Sequence, residues 1–259
     1  MSRQIFDLAV ALESGLPSDP PHMIPEITYR DHAAGAQGMQ AYFPGLTAQD
    51  LPGGLGWAVE EVRLTTHSGT HMDAPFHYHP TQDRGQPALT IDQIPLDWCF
   101  QDGVLLDFGH KPDGEGISAT EVADELKRIG HRLQPLDIVL VRVGADKAWG
   151  RPEYLVTGAG MTRESTLYLL ERGVKVVGID AWSWDRPLPF LAREFAASGD
   201  ASGVWAAHFA GIERGYCHME KLAGLGALPH PTGFKVACFP IKIEAASAGW
   251  VRPVAIFED

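Results

Sequence analysis

The chain has 259 residues, enough for one large domain or two small ones and ample for a real core. Hydrophobic residues make up 45% and charged residues 21%, and the formal net charge is −12 with a pI near 5.3. That balance excludes nucleic acid and anionic membrane surfaces as partners, because both demand clustered Lys and Arg.

In chain order, residues 5–12 read as a first strand. Acid appears by Asp7 and Glu13 and no long apolar run occurs, so no secretory signal is expected. Residues 14–25 carry Pro17, Pro20, Pro21 and Pro25, which forbid regular helix and predict an ordered loop. Residues 31–56 are punctuated by Gly and Pro and read as a long loop or lid. Residues 59–66 alternate as a strand, with Val62 and Leu64 set against Glu61 and Arg63. Further strands are expected at 103–108, 137–143, 175–180, 234–241 and 252–257. Several are continuous apolar runs, as suits strands covered on both faces.

Three helices lie between them. Ser118-Ala119-Thr120-Glu121 is a capping box, followed at helical spacing by Val122, Leu126 and Ile129. Thr162 caps a second helix that passes Leu167, Leu170 and Glu171 and stops at Gly173. Residues 188–197 form a third. The pattern predicts one α/β domain, 1–259, with a mixed β-sheet and flanking helices. Cys99, Cys217 and Cys238 are odd in number and form no CxxC pair, which predicts reduced thiols in a cytoplasmic protein. No stretch reaches the roughly 18 apolar residues of a membrane span.

The chemistry concentrates in His67-Ser68-Gly69-Thr70-His71-Met72-Asp73-Ala74-Pro75-Phe76-His77. The chain holds 11 histidines in 259 residues, so three within this run, beside an aspartate, point to a metal rather than to scattered surface residues. Imidazole and carboxylate suit zinc, manganese and similar divalent ions. Gly69 and Pro75 argue against a helix here. An extended segment instead puts His71 and Asp73 on one side. Gly69 would let the backbone pass close to the metal, and Asp73 has two oxygens with which to bridge two ions. This run supplies three ligands at most, so a closed site needs others from elsewhere.

The run resembles the HxGTHxDxPxH signature of the cyclase family, which includes bacterial kynurenine formamidases and isatin hydrolases. The resemblance extends over most of the chain and implies a swivelling β/β/α-like fold. It implies that His67, His71 and Asp73 bind metal and that His77 is the acid/base. It also implies a second metal held by Asp73 with a distant His and a Glu twelve residues further on, which His208 and Glu220 match. His218, two residues before Glu220, is set aside as a ligand. One or two Zn2+ or Mn2+ per chain follow, and the family implies a homodimer or homotetramer.

Aromatic residues near these positions are candidates for contact with an aromatic or cyclic small-molecule substrate. Trp182 and Trp184 follow a strand end, and Trp57, Phe43 and Tyr42 lie in or near the 31–56 segment. Ordinary packing explains each equally well. His79, His110, His131 and His230 read as solvated or supporting. Kynurenine formamidases of the family carry a substrate-contacting tryptophan in the Pro-rich loop, and here that loop has none. The expected activity is therefore hydrolysis of a small cyclic or aryl amide, such as an isatin-like lactam or an arylformamide. The alternatives are a lactone hydrolase, a cyclase or dehydratase of secondary metabolism, and a non-catalytic metal-binding protein.

Overall fold

The computed structural model describes residues 2–258. Eleven strands matter for the site: β1 (Arg3–Asp7), β2 (Glu26–Arg30), β3 (Val59–Arg63), β4 (His71–Asp73), β5 (Phe100–Asp107), β6 (Ile138–Arg142), β7 (Val176–Ile179), β8 (Cys217–Glu220), β9 (Phe234–Ala237), β10 (Ala248–Trp250) and β11 (Val254–Glu258). Nine of them form one curled, mixed sheet in the order β1-β11-β9-β5-β6-β7-β8-β4-β10. The four strands from β5 to β8 run parallel, and the pairs outside them are antiparallel.

The centre of the sheet is covered on both faces. Val139 and Val141 of β6 face one core with Val122 and Leu126 of α3 (Ala119–Arg128) and Leu169 of α4 (Arg163–Leu170). Ile138 and Leu140 face the other core with Leu8, Met72, Met219 and Phe234. The two-residue period of the strand thus divides one apolar run between two cores. Cys99, Cys217 and Cys238 are free and buried. Among the described residues, no helix is long and apolar enough to cross a membrane.

Local signals explain the helix ends. Ser118 Oγ accepts from the Glu121 N–H at 3.3 Å, and the Glu121 carboxylate accepts from the Ser118 N–H at 2.8 Å. Thr162 caps α4, and Gly199 with φ +70° closes α5 (Leu188–Ser198). Some burial of Glu121 opposes ionisation, but Lys111 at 2.5 Å and the Ser118 donors hold its carboxyl down at about 2. A depressed carboxyl stabilises the fold above its unfolded value of about 4.5, and the gain is lost as pH falls towards 2. Glu121→Gln is therefore expected to lower Tm at pH 7, with the gap narrowing towards pH 3. The exposed position keeps the effect small. Thermal scans at the two pH values check it.

The strand ends fall short of the sequence expectation for identifiable reasons. β1 stops at Asp7 because its carboxylate accepts from the Ala9 N–H at 3.1 Å and turns the chain. β9 stops before Pro240 and β11 begins after Pro253, since proline cannot donate to a ladder. The 31–56 segment is not a featureless loop. It contains helix α1 (His32–Met39), capped by Asp31 through the Ala34 N–H at 2.9 Å, and short turns of 3-10 helix. It joins β2 to β3, which pair only with each other and form an exposed two-stranded arm.

Candidate metal centre and cavity

Two short antiparallel strands build the core of the site. In the β4–β8 ladder, His71 lies opposite Glu220 and Asp73 opposite His218. Side chains two apart share a face, so four ionisable groups form one patch across two strands. All four are buried. His67 joins from the turn before β4. His77 joins from helix α2 (Pro75–Tyr78), which begins on Pro75, and His208 from helix α6 (Ala206–Phe209). The argument from Pro75 against helix fails locally, because proline fits the first helical position, where its missing N–H has no partner to lose.

The turn into β4 requires glycine. Gly69 has φ +63°, and a Cβ there would meet Leu12 Cδ2 at 2.4 Å. The close approach is to Leu12 rather than to the ligand cluster. The Gly69 carbonyl also accepts from His71 Nδ1 at 2.9 Å, which leaves Nε2 without a proton and aimed at the cluster.

Distances among the donors fit divalent ions. His67 Nδ1 and His71 Nε2 lie 2.9 and 3.2 Å from Asp73 Oδ1. His218 Nε2 lies 3.0 Å from Asp73 Oδ2 and 3.1 Å from Glu220 Oε1, and His208 Nε2 lies 3.6 Å from Glu220 Oε1. Ligands roughly 2.0–2.2 Å from a tetrahedral zinc stand roughly 3.3 Å apart, so the spacing matches. Buried His71 Nε2, both Asp73 oxygens and His218 Nε2 have no hydrogen-bond partner. Such atoms are rare, and a shared cation would satisfy them. Two groups meet the geometry of a metal site: Asp73 with His208, His218 and Glu220, and Asp73 with His67 and His77.

Supporting groups orient the donors. Asp185 accepts from His208 Nδ1 at 2.5 Å and from the N–H groups of Ala207 and His208, a carboxylate–histidine pair that frees Nε2 for a metal. The Trp184 N–H donates to Glu220 Oε1 at 2.8 Å. Burial pushes His218 down, but its contacts with Asp73 and Glu220 prevail and lift it to about 9. Burial opposes ionisation of Asp73 as well, yet His71 and His77 beside it hold the carboxyl well below its ordinary value. Burial also dominates at His77 and lowers it to about 4, so this imidazole is neutral near pH 7.

A cavity of about 410 Å³ opens onto the cluster. His67, His71, His77, His208 and Glu220 line it on the cluster side, together with the apolar Met23, Trp182, Leu188, Val204, Trp205 and Phe209. Trp182 donates its indole N–H to Asp19 at 2.8 Å. Trp184 does not reach the cavity: it is fully buried, bonded to Thr166, and stacked behind His218. Trp57, Phe43 and Tyr42 lie on the exposed arm and are absent from the cavity wall. The arm carries them away from the sheet, which position along the chain did not reveal.

Sequence reasoning weighed His218 and set it aside, and it passed over Tyr78, Asp185, Trp205 and Lys221. The His218-x-Glu220 spacing repeats His71-x-Asp73 and was the available signal. Lys221 had none. Its ammonium is buried, pairs with Asp19 and donates to the His67 carbonyl at 2.7 Å. Its backbone has φ +58°, a strained conformation for lysine, which turns the chain after Glu220. Lys221→Met leaves Asp19 buried without its partner and is expected to cost about 3–5 kcal/mol of stability, measured by urea denaturation.

The chain is similar in sequence and in fold to known proteins. The Cyclase family model matches residues 6–186. A kynurenine formamidase of Erythrobacter litoralis is 27% identical over 198 residues, covering 76% of each chain. One of Salinibacter ruber is 29% identical over 203 residues, covering 74% of this chain and 77% of its own. An isatin hydrolase bound to the product analogue thioisatinate superposes with a TM-score of 0.76 at 19% identity, covering 99% of this chain and 93% of its own. Isatin hydrolase A of Labrenzia aggregata gives 0.74 at 22% identity, covering 99% and 94%. The match runs from the end of the first strand through the histidine and aspartate run and past β7, more than half of the chain, and the chain belongs to the Cyclase family.

Proposed function

We propose that the protein is a metal-dependent hydrolase that cleaves a small cyclic or aryl amide. The observation that carries the proposal is the convergence of unpartnered buried donors beside an aromatic-walled cavity. We assign His67, His71 and Asp73 to one ion, with Asp73 reaching a second held by His208 and Glu220. Zn2+ and Mn2+ both suit these donors. A bound ion would supply water of lowered pKa and polarisation of the scissile carbonyl.

The chain's own residues supply the rest. Trp182, Trp205 and Phe209 offer flat apolar faces to a ring and exclude bulk water. His77 Nε2 faces the cluster, 3.7 Å from Asp73 Oδ2, and a neutral imidazole there accepts a proton. Amide cleavage breaks the C–N bond, leaves the water oxygen on the carbonyl carbon and requires a proton on the departing nitrogen. His77 is placed to deliver it. The cavity volume of about 410 Å³ suits a bicyclic lactam such as isatin, and relatives described as kynurenine formamidase and isatin hydrolase support that substrate class.

The test is turnover of a lactam, arylformamide and lactone panel by metal-loaded protein in oxygen-18 water. Hydrolysis of a lactam or arylformamide with one solvent oxygen in the product is expected. A dehydrated or cyclised product without the label would replace hydrolysis by cyclase chemistry.

We propose further that copies of the chain associate as a homodimer or homotetramer. Tyr29, Tyr42, Phe43, Leu55, Trp57 and Val62 are all exposed on the arm, more apolar surface than an isolated chain ordinarily presents there. Light scattering is expected to give a multiple of the chain mass, and Tyr42→Glu with Trp57→Glu to lower it. A monomeric wild type would contradict the assembly.

A further inference from the structure

We infer that the two ion positions are unequal, with His218 closing the inner one into a structural site while only the outer one is catalytic. The inference rests on the proposed metal function and deepens it.

Four donors from different parts of the fold surround the inner position: Asp73, His208, His218 and Glu220 each offer one ligand atom within 4.8 Å of the others. Two imidazoles and two carboxylate oxygens complete a tetrahedral set, and a site with four protein donors leaves no position for water or substrate. The outer set we assign is His67 Nδ1, His71 Nε2 and Asp73 Oδ1, with the cavity beside it and with His77, also in reach of His67 and Asp73, kept as the acid/base. Three protein donors and one open position are the pattern of catalytic sites.

The proton arrangement supports ligation by His218. Its Nδ1 lies 3.1 Å from the Tyr78 hydroxyl, and that hydroxyl donates to the Asp73 carbonyl at 3.3 Å. Where the Tyr78 proton goes to the carbonyl, Nδ1 donates to Tyr78, and a metal that displaces the Nε2 proton would take the lone pair there. Nε2 is buried and has no hydrogen-bond partner despite its short contacts with both carboxylates. It and the two oxygens aim at a common point rather than at one another.

Aromatic rings enclose part of the inner position. His218 is stacked between Tyr78, at 5.1 Å and 15°, and Trp184, at 6.0 Å and 18°. Trp205 covers His208 at 4.3 Å and 21°. His208 and Glu220 line the same cavity as His67 and His71, so the two positions differ in donor number and in the rings around His218 rather than in a separate entrance.

Release of Zn2+ to a chromophoric chelator from the full-length, zinc-loaded protein tests this. Wild type is expected to release two ions per chain, one fast and one slow. His67→Ala should remove the fast ion and keep the slow one. His218→Gln should speed the slow release at least about 100-fold, since even partners of ligands change metal affinity 10–100-fold. If His218→Gln does not fold, as judged by circular dichroism, Tyr78→Phe serves instead, because it frees the imidazole from its fixed tautomer. An unchanged slow phase in the variant that folds overturns the inference and leaves the proposed function standing. Two fast ions in wild type, or a slow ion lost with His67→Ala, also overturn it. Zinc-loaded wild type that retains no ion overturns the proposed function itself.

Discussion

His77→Ala is expected to lower kcat by about 10²–10⁴-fold while the ion content per chain stays that of wild type. His77 is half-enclosed, with its ring 4.2 Å from His67 and 5.1 Å from Trp205, so its removal opens space without exposing the β4–β8 patch. The loss should fall on kcat rather than KM, because a proton transfer is felt in the transition state and not in binding. The geometry makes the metal readout decisive, since His77 also lies within coordination range of the His67 and Asp73 donors. Elemental analysis of the purified variant separates the roles. Retained metal with lost turnover supports a proton carrier, and lost metal makes His77 a ligand.

Asp73→Asn is expected to reduce activity by at least about 10⁴-fold and to lower the content of both ions, because polarisation and water activation together supply several kcal/mol. The substitution preserves shape and leaves the Asp73 carbonyl that accepts from Tyr78 untouched, so the fold is retained. What changes is charge. Asp73 Oδ1 faces His67 and His71, and Oδ2 faces His218, so the carboxylate joins the two halves of the cluster. The uncharged amide has one oxygen and a nitrogen that cannot ligate. Metal analysis with a thermal scan distinguishes ligand loss from unfolding. A folded variant that keeps both ions would refute Asp73 as the bridge.

The outer and inner halves of this site differed in how legible they were. The run from His67 to His77 was readable because one extended segment carries several donors, and local spacing then fixes which share a face. The central strands were readable because apolar runs such as 138–142 admit little else. His218 was not, because its meaning depends on the β4–β8 register, which sets it opposite Asp73. Lys221 was hidden for a similar reason. Its partner Asp19 lies 202 residues away in the Pro-rich loop, a pairing that no local pattern encodes. The aromatic candidates divided the same way: Trp182 reaches the cavity, whereas Trp184, two residues on, turns into the core, because the chain bends there and leaves the strand geometry in which residues two apart share a face. On the arm, β3 was legible from its alternation, whereas β2 was not, because it is short and exposed and shows no apolar face.

The central claim is that this cluster performs hydrolysis through bound metal. Its most direct test is the hydrolysis rate of the best lactam or arylformamide substrate as Zn2+ or Mn2+ is titrated into metal-stripped protein. The account predicts no turnover in the stripped protein and a rate that rises with added ion, then saturates when the sites are filled. Undiminished turnover without metal, or none in the fully loaded protein across the whole panel, would contradict it.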